Sequence, residues 1–242
     1  MPLPLSLSRS SQPELLDDLT IASTPGARAE LADNLRDIRR ANRWFGGTGA
    51  VLRTVMPLVR DLTGQSDPVR ILDVATGSAD IPLAIAHQSE RAGWPVELVA
   101  TDIAPDVLAV ARGAARPGRI SVEAADALAL PYADGAFDIV ILSLALHHFE
   151  PDDGLRALQE MRRVGRHALI VNDFERSRSG LAGAWLFAHG LSRNRMTRHD
   201  APLSVRRSYT LAEAHALARA AGWRESRVRR VLPFRYVLTG TP

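Results

Sequence analysis

Three aspartates at the ends of apolar runs are the residues of this chain best placed to hold a ligand. Asp73, Asp102 and Asp126 each close such a run, and Gly77 follows the first of them in a turn of small residues. Glycine there lets a ligand approach the backbone closely, which a Cβ would obstruct. A carboxylate at Asp102 can accept hydrogen bonds from both hydroxyls of a ribose and would repel a 2′-phosphate. The spacing therefore predicts an adenosine-containing ligand, with Asp126 and the amide of Ala127 able to read the amino edge of adenine.

A second group of residues is suited to acid–base chemistry. His147 and His148 follow another apolar run, and Asp173 ends the run after that. Histidine titrates near neutrality, so either ring could take a proton from a hydroxyl or from an activated ring carbon. The alternative is structural, because the histidines could cap the turn into a helix at Pro151. Asp173 could accept a proton, orient a histidine or cap the helix that follows it.

The elements that must position these side chains alternate regularly along the chain. Helical patterns, at 79–92, 105–116 and 152–164, separate the first apolar runs. A doubly wound, mostly parallel seven-stranded α/β sheet of the Rossmann-like kind follows from this alternation. The strand-like runs are 70–75, 96–101, 119–124, 137–144 and 167–172.

The remaining segments are predicted to flank this sheet. Residues 1–25 are expected to form a flexible arm, residues 26–66 a helical cap, and residues 67–242 the ligand-binding domain. A lid at about 178–209, an apolar helix followed by a loop rich in arginine and histidine, interrupts the alternation before the last helix. The tail after that helix is predicted to be an antiparallel hairpin at one edge of the sheet.

Composition excludes several kinds of chemistry. The 242 residues include no cysteine and no lysine, so thiolate catalysis, disulfides and Schiff-base chemistry are ruled out. All 30 basic residues are arginines and 27 acidic residues nearly balance them, so the pI of about 10.1 reflects arginine usage and predicts no nucleic-acid partner. No metal site is predicted. The N-terminus does not have the pattern of a secretory signal, and a cytoplasmic enzyme is the expectation.

The motifs occur in an order that resembles the class I S-adenosylmethionine-dependent methyltransferases. Within that superfamily the chain is most similar to the small-molecule branch that contains the ubiquinone and menaquinone methyltransferases. The resemblance covers about residues 70–175 and depends on four segments, 72–77, 101–104, 125–131 and 136–140. Ala75 and Ala79 stand where this family usually has glycine, and alanine adopts a positive φ only at a cost, which predicts a tighter turn or weaker cofactor affinity.

The resemblance also implies a cofactor and its contacts. The cofactor would be S-adenosyl-L-methionine and the product S-adenosyl-L-homocysteine. Ser143 would lie near the methionine portion. The other implied contacts, from the turn after the first strand to the adenine pocket, are Asp73, Ala75, Thr76, Gly77, Asp102, Ile103, Asp126 and Ala127.

Residues outside the sheet pattern are predicted to bind the methyl acceptor. Trp44 and Phe45 in the cap and Trp185 in the lid could line an apolar pocket, although aromatic residues at helical spacing are often core. His199 and Arg207 could bind an anionic or phenolic group, or could simply face solvent. We therefore expect O- or C-methylation of a small, apolar aromatic, phenolic or quinol acceptor.

Three other functions compete with this one. An RNA or protein methyltransferase would share the fold, but the sequence 143–148, Ser-Leu-Ala-Leu-His-His, lacks the motif expected for base methylation. A non-catalytic module that only binds S-adenosylmethionine is supported by the alanine-substituted turn. A dinucleotide oxidoreductase is disfavoured because the turn lacks the G-x-G-x-x-G spacing.

Overall fold

A seven-stranded sheet forms the centre of the protein. The computed structural model describes residues 7–18, 20, 22–115 and 120–242. The strand order is β3-β2-β1-β4-β5-β7-β6; the first five strands are parallel, and β7 is antiparallel to both of its neighbours. The doubly wound fold is confirmed, as is the C-terminal hairpin. The strands are β1 (Val69–Val74), β2 (Val96–Asp102), β3 (Ile120–Ala124), β4 (Phe137–Ser143), β5 (Gly165–Phe174), β6 (Arg224–Val231) and β7 (Arg235–Thr241).

Helices cover both faces of the sheet because the central strands are apolar on both sides. On one face Ile71 and Ile141 pack against α2 and α3, and on the other Leu72 and Leu142 pack against α5 and α8. The helices of the described residues are α1 (Pro25–Trp44), α2 (Gly47–Leu62), α3 (Asp80–Ala92), α4 (Pro105–Ala114), α5 (Pro151–Val164), α6 (Arg178–Gly190), α7 (Arg195–Arg207) and α8 (Leu211–Ala220).

Local sequence signals account for several helix ends. Thr24 accepts a hydrogen bond from the amide of Ala27 at the start of α1, and Gly46, with a φ of 74°, separates α1 from α2. A capping box of Thr210 and Glu213 opens α8. These local signals determine the residues at which α1, α2 and α8 begin.

The lid is helical where the sequence predicted an arginine- and histidine-rich loop. Asn194 caps α7 by accepting from the amide of Thr197, and Met196, Leu203 and Val205 are buried on one side of the helix. The loop prediction was wrong because charged side chains concealed this apolar face. Helix α7 packs against both α6 and α1, so the lid is a pair of helices that cover the sheet edge.

The N-terminal segment is packed over residues 7–18, where the sequence predicted a flexible arm. A short 3₁₀ helix spans Leu15–Asp17, and the amides of Leu15 and Leu16 donate to the carboxylate of Asp200 in α7. Glu14 is buried. Residues 1–6 of the predicted arm lie outside the described part of the chain. The packed segment passes over the edge of the sheet, where it can contribute side chains to a site.

Among the described residues, no helix combines the length and the apolar character that crossing a bilayer would require.

Candidate active site

One cavity of about 480 Å³ lies at the carboxyl edge of the parallel strands. It is lined by the turn after β1, the end of β2, the segment after β4 and the start of β7. Helices α1, α6 and α7 and the N-terminal segment also line it. This is the edge at which ligands bind in open α/β sheets, and the volume is in the range of small-molecule sites. Asp102 and His147, which the sequence assigned to different tasks, both line it.

Asp73 organises the turn at the end of β1. The hydroxyl of Thr76 donates to Asp73 Oδ2 at 2.6 Å, and the amide of Thr76 donates to the carbonyl of Thr101 in β2 at 2.7 Å. Burial raises the pKa of Asp73 to about 8, although the hydrogen bond from Thr76 acts in the opposite direction. The carboxyl therefore contributes to the turn largely as a neutral, buried group.

The turn itself is left-handed at three places. Ala75, Gly77 and Ala79 have φ values of 53°, 56° and 57°. Only glycine adopts this conformation without steric cost, so the two alanines carry backbone strain. The sequence predicted a tighter turn or weaker cofactor affinity from these two alanines, and both adopt the positive φ that is costly for alanine.

Asp102 presents a carboxylate to the cavity from the end of β2. Its two oxygens accept from the amides of Gly77 and Ala104, each at 3.1 Å. Each oxygen keeps a second lone pair, so the pair of oxygens can accept from the two hydroxyls of a ribose. Burial raises the pKa of Asp102 against the opposing hydrogen bonds of the backbone amides. Ile103, half exposed beside it, offers an apolar surface to a planar ring.

The predicted adenine contacts are in a different environment. Asp126 is exposed and accepts from the amide of Leu128, whereas Ala127 is buried in the core. Neither is among the described residues that line the cavity. Ser143 does line it, and its hydroxyl accepts from the side-chain amide nitrogen of Asn172 at 2.9 Å. The adenine assignment therefore stays a prediction from the sequence.

His147 and Asp173 form a buried pair. His147 Nδ1 lies 2.7 Å from Asp173 Oδ1, and the backbone amide of His147 donates to Asp173 Oδ2 at 3.0 Å. Ser177 caps α6, so Asp173 orients the histidine and does not cap the helix. A carboxylate on Nδ1 favours the tautomer with its proton there, which leaves Nε2 with a free lone pair. His147 lines the cavity, and this geometry suits a general base.

Two acidic residues of the N-terminal segment complete this cluster, and sequence reasoning missed both. Asp17 Oδ1 lies 2.5 Å from Nδ1 of His148, and Glu14 Oε1 lies 3.7 Å from Nε2 of His147. Burial alone would lower the pKa of His148, but the charge of Glu14 and the hydrogen bond and charge of Asp17 raise it to about 9. His148 is therefore a cation at neutral pH. Nothing in the spacing of the chain signals that residues 14 and 17 meet residues 147 and 148.

The same cluster has a geometry that could hold a metal ion. Glu14, His147 and His148 each offer one ligand atom, and these three atoms lie within 4.8 Å of one another. The sequence predicted no metal. A chelator distinguishes a histidine that acts as a base from one that acts as a ligand, because only the ligand depends on the ion.

Arg207 supports the cluster and does not face an acceptor. Its guanidinium donates to the carbonyls of His147 and His148 and to the carboxylate of Asp17. A fourth bond reaches the carbonyl of Gln12. The predicted acceptor contact is therefore corrected: Arg207 is a buried clamp between α7, the histidine turn and the N-terminal segment.

The predicted aromatic contacts are only partly at the cavity. Phe45 lines it and meets Phe187 of α6 edge to face, with ring centroids 5.6 Å apart. Trp44 is 61% exposed, and Trp185, which is 53% exposed, stacks on His189. His199 is half exposed and bonds to Asp200. The two tryptophans are therefore not at the cavity, because helical spacing alone does not say which face of a helix is covered, and His199 takes the solvent-facing alternative.

Comparisons with known proteins agree with this architecture. Residues 71–167 match the family model of a methyltransferase domain. A demethylmenaquinone methyltransferase from Thermus thermophilus is 40% identical over 129 residues, which are 51% of this chain and 55% of that protein. The ubiquinone/menaquinone biosynthesis C-methyltransferase UbiE from Geobacter sp. is 32% identical over 117 residues, 46% of this chain and 48% of that protein. The chain thus matches about half the length of each relative.

The fold also has solved counterparts. A structure of PigF with SAH superposes with a TM-score of 0.64 over 96% of this chain and 63% of that chain, at 18% identity. At that identity the likeness concerns the fold alone.

Proposed function

We propose that the chain is a class I S-adenosylmethionine-dependent methyltransferase that acts on a small acceptor, because residues 71–167 match the family model of a methyltransferase domain and similar proteins carry the names of quinone-biosynthesis methyltransferases. The acceptor is a phenol, a quinol or a related aromatic molecule, methylated at oxygen or carbon. The observation that carries this proposal is the single cavity that joins Asp102 at one end to the pair of His147 and Asp173 at the other.

The residues of the turn and of β2 fit the cofactor. Asp102 would accept from the two ribose hydroxyls, and Gly77, whose added Cβ would meet only Leu35 at 4.0 Å, leaves the backbone open to the ligand. Ser143 would lie beside the methionine portion. When bound, S-adenosylmethionine supplies a methyl group on a positively charged sulfur, which a nucleophile can attack in line.

The chain itself prepares the nucleophile. His147, with Nδ1 held by Asp173, accepts the proton of the acceptor on Nε2. Glu14, whose Oε1 has no hydrogen-bond partner among the described residues, stabilises the positive charge that this ring then carries. The charge of the protonated His148 nearby favours an acceptor oxygen that is becoming anionic.

The walls align the acceptor and exclude water. Phe45, Phe187 and Phe234 line the cavity, and so does Phe174, next to Asp173. An aromatic acceptor packed among these rings has few orientations, and holding it in line with the methyl group is the main catalytic task of such an enzyme.

The test is a screen with radiolabelled S-adenosylmethionine. Phenols, quinols and small aromatic acids are incubated with the protein, and label is measured in the organic phase. We expect transfer to at least one quinol or phenol, and none with a variant in which His147 and His148 are both glutamine. Binding of the cofactor without transfer to any compound would favour the non-catalytic module. Label in added RNA or protein would favour an RNA or protein methyltransferase.

A further inference from the structure

Arg235, the first residue of β7, is a buried cation that faces the cavity. It is 1% exposed and lines the cavity wall. Within the described part of the chain, its Nε, Nη1 and Nη2 atoms have no hydrogen-bond partner. A buried guanidinium without partners is costly, so an arginine in this state indicates that something outside the chain completes it.

The surroundings are shaped to hold the guanidinium. Its Cζ lies 4.6 Å from the centroid of the Phe174 ring, which gives a cation–π contact. Gly47, at the start of α2, leaves it room: a Cβ at that position would lie only 2.9 Å from the Cζ of Arg235. The Phe174 ring on one side and Gly47 on another therefore restrict the orientation of the Arg235 guanidinium and of its hydrogen-bond donors.

The nearest charges do not neutralise it. Asp173 and Asp80 act on Arg235 electrostatically, but neither forms an ion pair with it at 4.0 Å or less among the residues that the structure describes. Burial lowers the pKa of Arg235 to about 10, against the opposing effect of these two carboxylates. The guanidinium is therefore still charged at neutral pH.

We propose that Arg235 is the receptor for a carboxylate group of a molecule bound in the cavity. This inference rests on the proposed function. The planar fork of a guanidinium matches the two oxygens of a carboxylate, which can accept two parallel hydrogen bonds. Two molecules of the reaction could supply the group: the methionine half of the cofactor, or an acceptor that is an aromatic acid.

The acceptor atoms near Arg235 favour the methionine half of the cofactor as the source of the carboxylate. Asn42 Oδ1, itself buried and without a hydrogen-bond partner in the described residues, lies 2.6 Å from the point where a Gly47 Cβ would be, beside the guanidinium. The side-chain amide nitrogen of Asn42 donates to Asp80 Oδ2 at 3.1 Å. The ammonium of an α-amino acid can donate to the side-chain carbonyl of Asn42 and to the carboxylate of Asp80, while its carboxylate accepts from the guanidinium of Arg235.

The aromatic residues beside Arg235 favour an aromatic acid as the source of the carboxylate. Phe174, under the guanidinium, and Phe234, the preceding residue, both line the cavity. An aromatic acid could place its ring among them and its carboxylate on Arg235.

The experiment compares Arg235→Met with Arg227→Met, the same change at an exposed position of β6. Calorimetry measures binding of S-adenosylhomocysteine and of decarboxylated S-adenosylmethionine, and then binding of 4-hydroxybenzoate and 4-hydroxybenzamide to the protein saturated with S-adenosylhomocysteine. A tenfold or larger loss for S-adenosylhomocysteine, with none for the decarboxylated cofactor, assigns the methionine carboxylate. A similar loss for the benzoate alone assigns an acidic acceptor. Unchanged binding of all four overturns the inference.

Stability measurements separate binding from folding. Because the substitution removes an uncompensated buried charge, we expect the Tm of unliganded Arg235→Met to equal or exceed that of the wild type. Should this variant fail to fold, Arg235→Lys, which keeps the charge but loses the fork, is expected to lose affinity for the same ligand. Wild-type protein that binds no S-adenosylhomocysteine would overturn the proposed function, whereas wild type and variant that bind it equally would overturn only the role of Arg235 on the cofactor.

Discussion

At the scale of single residues, two aspartates at the ends of parallel strands have different surroundings and therefore different tasks. Asp102 accepts only from backbone amides and faces the cavity, so its oxygens have capacity left for a ligand. Asp173 is fully buried and its oxygens bind the ring, the amide of His147 and the amide of Phe174. One is suited to hold a cofactor and the other to orient a base.

We expect Asp102→Asn to weaken S-adenosylhomocysteine binding by about 10- to 100-fold, because charge-assisted hydrogen bonds to two hydroxyls are lost. Isothermal titration calorimetry measures the change. Asp126→Asn, the same substitution at the end of β3, is the comparison: an equal loss there would support its predicted contact with adenine. If Asp102→Asn binds as the wild type does, the ribose assignment is wrong.

We expect His147→Gln to slow turnover by about 100-fold or more while cofactor affinity stays within about threefold, since the variant lacks a base but leaves Asp102 intact. Asp173→Asn should slow turnover in the same way, because the asparagine no longer favours the tautomer with a free Nε2. Steady-state rates with saturating cofactor provide the measurement. Loss of wild-type turnover in EDTA, restored by added metal, would instead make His147 a metal ligand together with Glu14 and His148.

At the scale of elements, the turn between β1 and α3 carries strain that a simple substitution can relieve. Ala75 has a positive φ and is only partly buried, so glycine there removes a steric cost while exposing little apolar surface. The left-handed conformation costs a non-glycine residue roughly 1–2 kcal/mol, and the greater freedom of unfolded glycine offsets part of the gain.

We therefore expect Ala75→Gly to raise the free energy of unfolding by about 0.5 kcal/mol, and Ala216→Gly to lower it by about 1 kcal/mol. Ala216 is exposed in the interior of α8, so the same change there only weakens a helix. Urea unfolding of both variants measures the two effects. A loss of stability in both would show that the turn is not strained at Ala75.

The N-terminal segment is the element that completes the histidine cluster. Residues 14 and 17 reach His147 and His148 only because Asp200 anchors the 3₁₀ helix and Arg207 clamps Asp17. Glu14, Leu16 and Asp17 of this segment line the cavity. The cluster is thus assembled from three separate parts of the chain.

At the scale of the whole molecule, two ionisable groups at the cavity, Asp73 and His148, give stability the same dependence on pH. The pKa of Asp73 rises from 3.8 to about 8 on folding, so the folded state retains a proton that the unfolded chain loses in that window. The pKa of His148 rises from 6.5 to about 9 on folding. Its contribution to the free energy of unfolding is therefore complete below pH 6.5 and is lost as the pH rises through 9. In both cases the folded state binds more protons, and stability falls as pH rises.

We expect the Tm to fall by several degrees between pH 6.5 and pH 9, since about 1 kcal/mol corresponds to roughly 2–4 °C in a chain of this size. Differential scanning calorimetry across this range measures the slope. His148→Gln should make the slope shallower, and His87→Gln, at an exposed position in α3, should leave it unchanged. A Tm that is constant or rises across the range would contradict the assigned surroundings of Asp73 and His148.

The sequence by itself determined the sheet and the edge of it at which the cavity lies. Apolar runs that end in Asp73 and Asp102, alternating with amphipathic helices, are local patterns, and the carboxyl ends of neighbouring parallel strands necessarily share an edge. For the same reason the helix ends at Thr210 and Gly46 could be predicted, because each cap depends on residues a few positions away.

Only the tertiary structure decided which side chains meet across the cavity. Glu14 and Asp17 contact residues more than 130 positions later. Arg235, which has no hydrogen-bond partner in the described part of the chain, lies between α2 and β5, and no local pattern encodes such distances. The same limit explains why Trp44, Trp185 and Arg207 were assigned to the acceptor. Composition and spacing show that a side chain is aromatic or charged, but its neighbours depend on how helices pack, and packing is a property of the whole chain.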